Sequence, residues 1–176
     1  MCIRDRFEDS AGAIVMDTAR YPELWRQNTE FENDATLHRW TLDVAGHTVA
    51  EKQLDDRSVE FPRIAESLVG LENRFGYSVA SFDEENSLVK YDLAADSAQS
   101  HDFGTDQIPG EAVFVPRRSA ASEDDGWLMT YVYDKPTDSS HFAVLDALDI
   151  AADPVATVAL PQRVPFGFHG SWVDDQ

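Results

Sequence analysis

The stretch GYSVASFDEENSLVKYDL, residues 76–93, decides the fold class of this chain. Two segments of strand length, residues 76–82 and 87–93, flank the four polar residues Asp-Glu-Glu-Asn at 83–86. Connectors of this length and composition join antiparallel neighbours, because Asp and Asn side chains hydrogen-bond to nearby backbone groups in tight turns. The stretch therefore predicts a β-hairpin.

Apolar residues elsewhere in the chain also alternate with polar ones or form short runs bounded by Gly, Pro, Asp and Ser, as is typical of β-strands. A short helix is predicted over Tyr21–Asn28, where Pro22 suits a first turn. Nine segments have strand length: Ala13–Thr18, Thr36–Val44, Thr48–Leu54, Gly76–Phe82, Ser87–Leu93, Glu111–Pro116, Trp127–Tyr133, Phe142–Asp146 and Ala156–Leu160. The sequence thus predicts an all-β protein, whose strands could form a sandwich, a barrel or consecutive propeller blades.

Composition and charge exclude several classes of protein. The 176 residues include 14 Lys and Arg against 33 Asp and Glu, which gives a formal net charge of −19, and 43% of them are hydrophobic. Ten Phe, four Trp and five Tyr need a packed core, so a disordered chain is excluded. A surface this acidic repels phosphate groups, so we expect no nucleic-acid partner.

The cysteine content and the apolar runs bear on the cellular compartment. The single cysteine, Cys2, cannot form an intramolecular disulfide, which fits a reducing environment. Apolar runs such as Phe142–Leu145 fall far short of the roughly 20 residues that span a bilayer. The start of the chain has no signal-peptide pattern. We therefore expect a cytoplasmic protein without a transmembrane segment.

Familiar catalytic motifs are absent from the sequence. It contains no nucleophile elbow, phosphate-binding loop, dinucleotide fingerprint, C-x-x-C pair or H-E-x-x-H motif, which disfavours hydrolase and nucleotide-binding functions. The acidic run EDDG at 123–126 lacks the alternating ligand spacing of a calcium loop. We predict that this run is a solvated turn.

His169 is the histidine whose surroundings best suit a metal ligand. It lies in VPFGFHGSW, residues 164–172, among three aromatic residues and two glycines. Glycine allows close backbone approach and aromatic rings exclude water, as around a metal-bound imidazole. From this segment alone, a core histidine paired with a carbonyl is the commoner outcome. The histidines in polar contexts are predicted to lie at the surface: His38, His47, His101 and His141.

Two glutamates also lie in apolar settings. Glu60 occurs in SVEFPRI, residues 58–64, and Glu111 shares a predicted strand face with Val113 and Val115. A carboxylate in such a setting needs a partner. Two interpretations of Glu111 remain open, namely a salt bridge or loop cap, and an acid that accepts the N–H of a metal-bound histidine.

The chain resembles the carotenoid cleavage oxygenase family, which includes apocarotenoid and lignostilbene dioxygenases and the retinal pigment epithelium isomerase. The resemblance runs from about Phe7 to the end of the chain. It rests on four motifs in the family's order: EFPRI (60–64), GEAVFVP (110–116), EDDGWL (123–128) and FHGSW (168–172). It implies a seven-bladed β-propeller, of which residues 1–176 would form a single partial domain of about three C-terminal blades.

The resemblance also implies one non-haem Fe(II) on the propeller axis, held by four histidines from different blades. His169 matches the last of these ligands, and Glu60 and Glu111 match two glutamates that orient ligand histidines. The family's third ligand lies in a segment resembling His-x-x-Asn-x-(Phe or Tyr)-Glu-Asp, whose tail is similar to Phe-Glu-Asp at 7–9. The histidine would then stand at position 2, where this chain has Cys2.

Because residues 1–6 depart from the family pattern, we interpret them as a foreign or truncated start, with the first two ligands further upstream. The implied reaction is the cleavage by O2 of a conjugated carbon–carbon double bond in a carotenoid, apocarotenoid or stilbene-like substrate to two carbonyl products. Phe166 and Phe168 would keep the cavity apolar. One imidazole cannot hold Fe(II), so we expect the isolated chain to be inactive.

The alternative to an enzyme is a non-catalytic, acidic β-propeller-type binding module without iron. The iron content of the purified protein distinguishes these two functions. The resemblance leaves room for peripheral membrane contact through regions that lie outside this chain.

Overall fold

A computed structural model of the chain describes residues 2–23, 35–80, 86–167 and 169–173. Within these ranges the chain forms β-strands and one 3₁₀ turn, Glu66–Leu68. The strands are β1 (Cys2–Glu8), β2 (Ile14–Arg20), β3 (Thr36–Asp43), β4 (Thr48–Gln53), β5 (Glu60–Arg63), β6 (Phe75–Ala80), β7 (Ser87–Asp92), β8 (Ser97–Asp102), β9 (Gln107–Pro109), β10 (Val113–Pro116), β11 (Gly126–Asp134), β12 (Ser139–Asp146) and β13 (Ala156–Ala159).

The strands form three antiparallel sheets, each built from strands that follow one another in the chain. The first sheet has the order β1-β2-β3-β4, the second β5-β6-β7-β8, and the third β10-β11-β12-β13, with β9 also paired to β11. These sheets are three consecutive blades of a β-propeller, which we call blades 1, 2 and 3. The prediction of an all-β chain that supplies about three blades is confirmed.

The blades have an inner and an outer end. Blade 1 contacts blade 2 through β1, β2 and β5, so the first strands of these blades lie close together. At the opposite ends, every residue of β4 and β13 is exposed, as is nearly every residue of β8. The first strand of each blade is therefore the inner one, and the last strand faces solvent.

Each inner strand carries a one-residue bulge. In β1 the pairing with β2 shifts between Ile3 and Asp5, and in β5 the pairing with β6 shifts between Glu60 and Arg63. In blade 3 the bulge separates β9 from β10, at residues 110–112, opposite residues 130–131 of β11. A bulge bends a strand and redirects its side chains. Both candidate glutamates lie at such bulges.

The hydrophobic core fills the spaces between neighbouring blades. Leu88, Leu128, Leu145 and Ile150 are at most 1% exposed and belong to the cluster between blades 2 and 3. A second cluster between blades 1 and 2 includes Val59. Full burial of one such aliphatic side chain contributes about 1.5–3 kcal/mol. Packing between blades thus stabilises the inner strands on which the site is built.

All nine predicted strands are present, with ends that differ by a few residues. The strand predicted to begin at Glu111 begins at Val113, because the bulge precedes it. Four strands were not predicted from the sequence, namely β1, β5, β8 and β9. Of the predicted helix, Tyr21–Glu23 is not helical, and residues 24–28 lie outside the described residues. No helix in the described ranges is long and apolar enough to cross a membrane.

Two predictions about polar residues were wrong. His38, predicted at the surface, is 8% exposed, because it lies on β3 with its Nδ1 2.9 Å from Glu51 Oε1 on β4. The acidic run EDDG is not a solvated turn. Asp124 is buried and accepts a hydrogen bond from Lys90 Nζ at 2.6 Å. Glu123 accepts the backbone N–H groups of Arg74 and Phe75 at the start of β6. The run joins blade 3 to blade 2.

The last residue of the acidic run, Gly126, supports one stability prediction. A Cβ at this position would overlap the carbonyl oxygen of Val115 and the ring of Phe114. We expect Gly126→Ala to destabilise the chain by about 1–3 kcal/mol or more, because the packed strands cannot separate freely. Urea denaturation measures the change. Gly76→Ala is the control, since its Cβ would meet only Arg63 O at 3.8 Å, and equal stability losses in both variants would contradict the prediction.

Candidate functional site

The candidate site is centred on Glu111 in the bulge of blade 3. Two hydrogen bonds fix the backbone there, from Gly110 N–H to Tyr131 O at 2.8 Å and from Thr130 Oγ1 to Gly110 O at 2.9 Å. The Glu111 side chain is 5% exposed, although it does not belong to the regular strand. The bulge therefore places a charged group in a buried position that alternation along a strand would not provide.

The Glu111 carboxylate contacts three nitrogen atoms. Its Oε1 lies 3.2 Å from His169 Nδ1 and 3.3 Å from Arg63 Nη1. Its Oε2 accepts the backbone N–H of Gly170 at 2.7 Å. The sequence left a salt bridge and a histidine-orienting acid as alternatives, and the geometry shows both contacts at once.

His169 is held at Nδ1, and no hydrogen bond from the described residues reaches its Nε2. A proton on Nδ1 would let His169 donate to Glu111 and would leave the lone pair on Nε2. The imidazole is 61% exposed and meets the Phe61 ring edge-on, with 6.0 Å between centroids. A neutral imidazole with a free Nε2 and an anchored Nδ1 is the arrangement that metal-bound histidines adopt.

Phe61 is a site residue that the sequence analysis missed. Its φ is +51°, a left-handed conformation that is rare for a bulky side chain. This conformation lies in the bulge of β5, and residues held in such geometry cluster at functional sites. Phe166, predicted to keep the cavity apolar, packs against Tyr133 and is 63% exposed. Phe168 lies outside the described residues.

Glu60 lies at the bulge of the neighbouring inner strand. It is 5% exposed, and its Oε2 accepts the N–H of Phe61 at 3.2 Å. The strand that carries it packs beside β1, which begins at Cys2. No hydrogen bond joins Glu60 to His169 or to Glu111 in the described part of the chain. The two glutamates therefore belong to separate positions on adjacent blades.

Metal ligands are few in this part of the chain. Among the described residues, no three His, Cys, Asp or Glu side chains converge to form a metal-binding group. The chain nevertheless fits a metal held from several blades, because the bond to Glu111 leaves Nε2 of His169 available as one ligand. Arg63 of the EFPRI motif also contacts Glu111. The sequence analysis did not identify it as a site residue.

Comparison with known proteins gives consistent matches. The family described as retinal pigment epithelial membrane protein matches residues 5–174. The carotenoid cleavage oxygenase of Mycobacterium tuberculosis is 38% identical over 93% of this chain and 35% of its own length. The apocarotenoid-15,15'-oxygenase of Synechocystis is 32% identical over 94% of this chain and 36% of its own length.

The fold matches solved structures equally well. A cobalt-substituted form of the Synechocystis apocarotenoid oxygenase superposes with a TM-score of 0.91 at 31% identity, over 99% of this chain and 39% of that one. The chain thus spans little more than a third of the length of the relatives it matches.

Proposed function

The chain belongs to the retinal pigment epithelial membrane protein family, which includes the carotenoid cleavage oxygenases, and we propose that it forms the C-terminal blades of such an enzyme. The proposed reaction cleaves a conjugated carbon–carbon double bond of a carotenoid, apocarotenoid or stilbene-like substrate with O2 and yields two carbonyl products. The observation that carries the proposal is the 3.2 Å contact between His169 Nδ1 and Glu111 Oε1.

His169 would hold the proposed Fe(II) through Nε2. Fe(II) bound by neutral imidazoles supplies open coordination positions at which O2 is activated. The role of Glu111 is to fix the ring direction and the tautomer of His169, which raises the basicity of Nε2. Phe61 meets the imidazole edge-on, with 6.0 Å between the ring centroids, and would help to orient it.

Glu60 would orient a second ligand histidine carried by β1. The position that matches this ligand is Cys2, so the resemblance fails there. The remaining ligands and the substrate tunnel would come from the other blades of a seven-bladed propeller, and we propose a cytoplasmic location.

The test uses the 176-residue chain and the complete open reading frame that contains it. We expect the complete protein to retain about one iron per chain and to consume O2 while an apocarotenoid or a stilbene loses its conjugated absorbance. The 176-residue chain should do neither, because a single imidazole binds Fe(II) weakly.

Two outcomes would overturn this proposal. Stoichiometric iron with turnover in the 176-residue chain would contradict the need for other ligands. A complete protein with neither iron nor turnover would favour the alternative, a non-catalytic binding module without iron.

A further inference from the structure

Arg63 connects two blades at the candidate site. It lies on the inner strand of blade 2, and its side chain is 10% exposed. Its Nη1 reaches Glu111 Oε1 in blade 3 at 3.3 Å, and its Nη2 bonds to Glu66 Oε1 at 2.6 Å. Its Nε is buried and has no hydrogen-bond partner among the described residues. Two carboxylates therefore hold the guanidinium.

The chemistry of a guanidinium restricts what Glu111 can do. Arginine has five N–H donors and no acceptor, and it stays charged in proteins. An ionised carboxylate accepts at both oxygens with or without Arg63, so what the guanidinium adds is a fixed position for Oε1 of Glu111. Because His169 Nδ1 lies against the same oxygen, a carboxylate fixed there favours a proton on Nδ1 of His169.

We propose that Arg63 is a positioning residue that holds Oε1 of Glu111 against His169 Nδ1, where the carboxylate favours the Nδ1–H tautomer of His169. Arg63 holds Oε1 of Glu111 as an acceptor, and the Gly170 N–H holds Oε2 in the same way. The carboxylate then accepts from His169 and leaves the lone pair on Nε2. The consequence of this selection for metal binding rests on the proposed function, whereas the tautomer itself does not.

The tautomer can be observed directly by NMR on the metal-free, ¹⁵N-histidine-labelled chain at pH 9, where an ordinary imidazole, with a pKa of about 6.5, is neutral. The His169 signals are assigned by their loss in His169→Ala. We expect His169 to be mainly Nδ1–H in the wild type. In Arg63→Gln, the ratio of Nδ1–H to Nε2–H should fall about tenfold, within the range that one charge-assisted hydrogen bond supports.

The matched control is Arg117→Gln. Arg117 also bridges two carboxylates, with Nη1 2.5 Å from Asp125 and Nη2 2.8 Å from Asp146, but no described contact joins it to His169. Its loss should leave the His169 tautomer unchanged. An unchanged ratio in Arg63→Gln, or a wild-type His169 that is mainly Nε2–H, would overturn the inference.

A second variant covers a failure of Arg63→Gln to fold. Lysine keeps the charge but has a single ammonium group, which cannot bond to Glu66 and Glu111 as the two ends of a guanidinium do. Arg63→Lys should therefore lower the ratio of Nδ1–H to Nε2–H by less than Arg63→Gln. A ratio in Arg63→Lys equal to that of the wild type would then count against the inference.

A metal-binding measurement separates this inference from the proposed function. In the complete protein, Arg63→Gln should weaken Co²⁺ binding about 10- to 100-fold in competition with a chelator, and Arg117→Gln should not. A tautomer shift in a protein that binds no metal would support the role of Arg63 and refute the metal site. Normal metal binding with an unchanged tautomer would refute the role of Arg63 alone.

Discussion

Lys90→Met should lower the free energy of unfolding by about 3–5 kcal/mol, because it leaves a buried carboxylate without its counter-charge. Lys90 lies on β7 of blade 2 with its side chain 6% exposed. Its Nζ donates to Asp124 Oδ2 at 2.6 Å and to Ala147 O at 2.7 Å, both in blade 3. The same ammonium lies 4.5 Å from the centre of the Phe75 ring.

Urea denaturation of the 176-residue chain measures this loss, and two further variants test its cause. Lys52→Met removes an exposed pair, since Lys52 Nζ lies 3.6 Å from Asp96 and both side chains are more than 60% exposed. That variant should change stability by about 1 kcal/mol or less. Lys90→Met with Asp124→Leu removes both buried charges and should recover most of the loss. A single Lys90→Met as stable as Lys52→Met would contradict this account.

The stability loss in Lys90→Met should depend on pH, because it depends on the charge of the Asp124 carboxyl. Burial alone would raise the pKa of this carboxyl, but hydrogen bonds from Lys90 and Ser122 outweigh burial and lower it. A carboxyl with a lowered pKa in the folded state stabilises the fold above its ordinary pKa, and the stabilisation is lost as the pH falls through the lowered value. The difference in the free energy of unfolding between the wild type and Lys90→Met should therefore become smaller at acidic pH.

Alternation of buried and exposed residues made some of the strands visible in the sequence. In β11, for example, burial alternates along most of its length, so the hydrophobic period is visible. The outer strand β8, with the sequence SAQSHD, is exposed on both faces and carries no such period. The inner strand β5 is four residues long and contains Pro62, which also hides it from pattern analysis.

The candidate residues could be found from the sequence, but their partners could not. Arg63 and Glu111 are 48 positions apart, and Lys90 and Asp124 are 34 apart. Packing between blades brings each pair together, and no local pattern encodes that packing. The left-handed conformation of Phe61 depends on the bulge in β5, which a register shift creates. The sequence therefore identified Glu60, Glu111 and His169 as candidates and left their partners and geometry open.

His169→Ala in the complete protein should abolish metal retention and turnover, because it removes a direct bond to the proposed iron. Glu111→Gln should have a graded effect and weaken metal binding about 10- to 100-fold without unfolding the protein. The amide can still accept from Nδ1, but it is uncharged and can rotate to present its NH₂ group instead. Metal analysis after gel filtration and O2 uptake measure both variants.

The control for these variants is His141→Ala. His141 lies on β12, where its backbone pairs with Val132 and Ala159. It has no described contact with Glu111 or His169, so its loss should leave iron content and turnover unchanged. The graded order of the three variants separates a ligand from the residue that orients it. Unchanged iron content and turnover in His169→Ala would show that the metal assignment is wrong, and the binding-module alternative would then take its place.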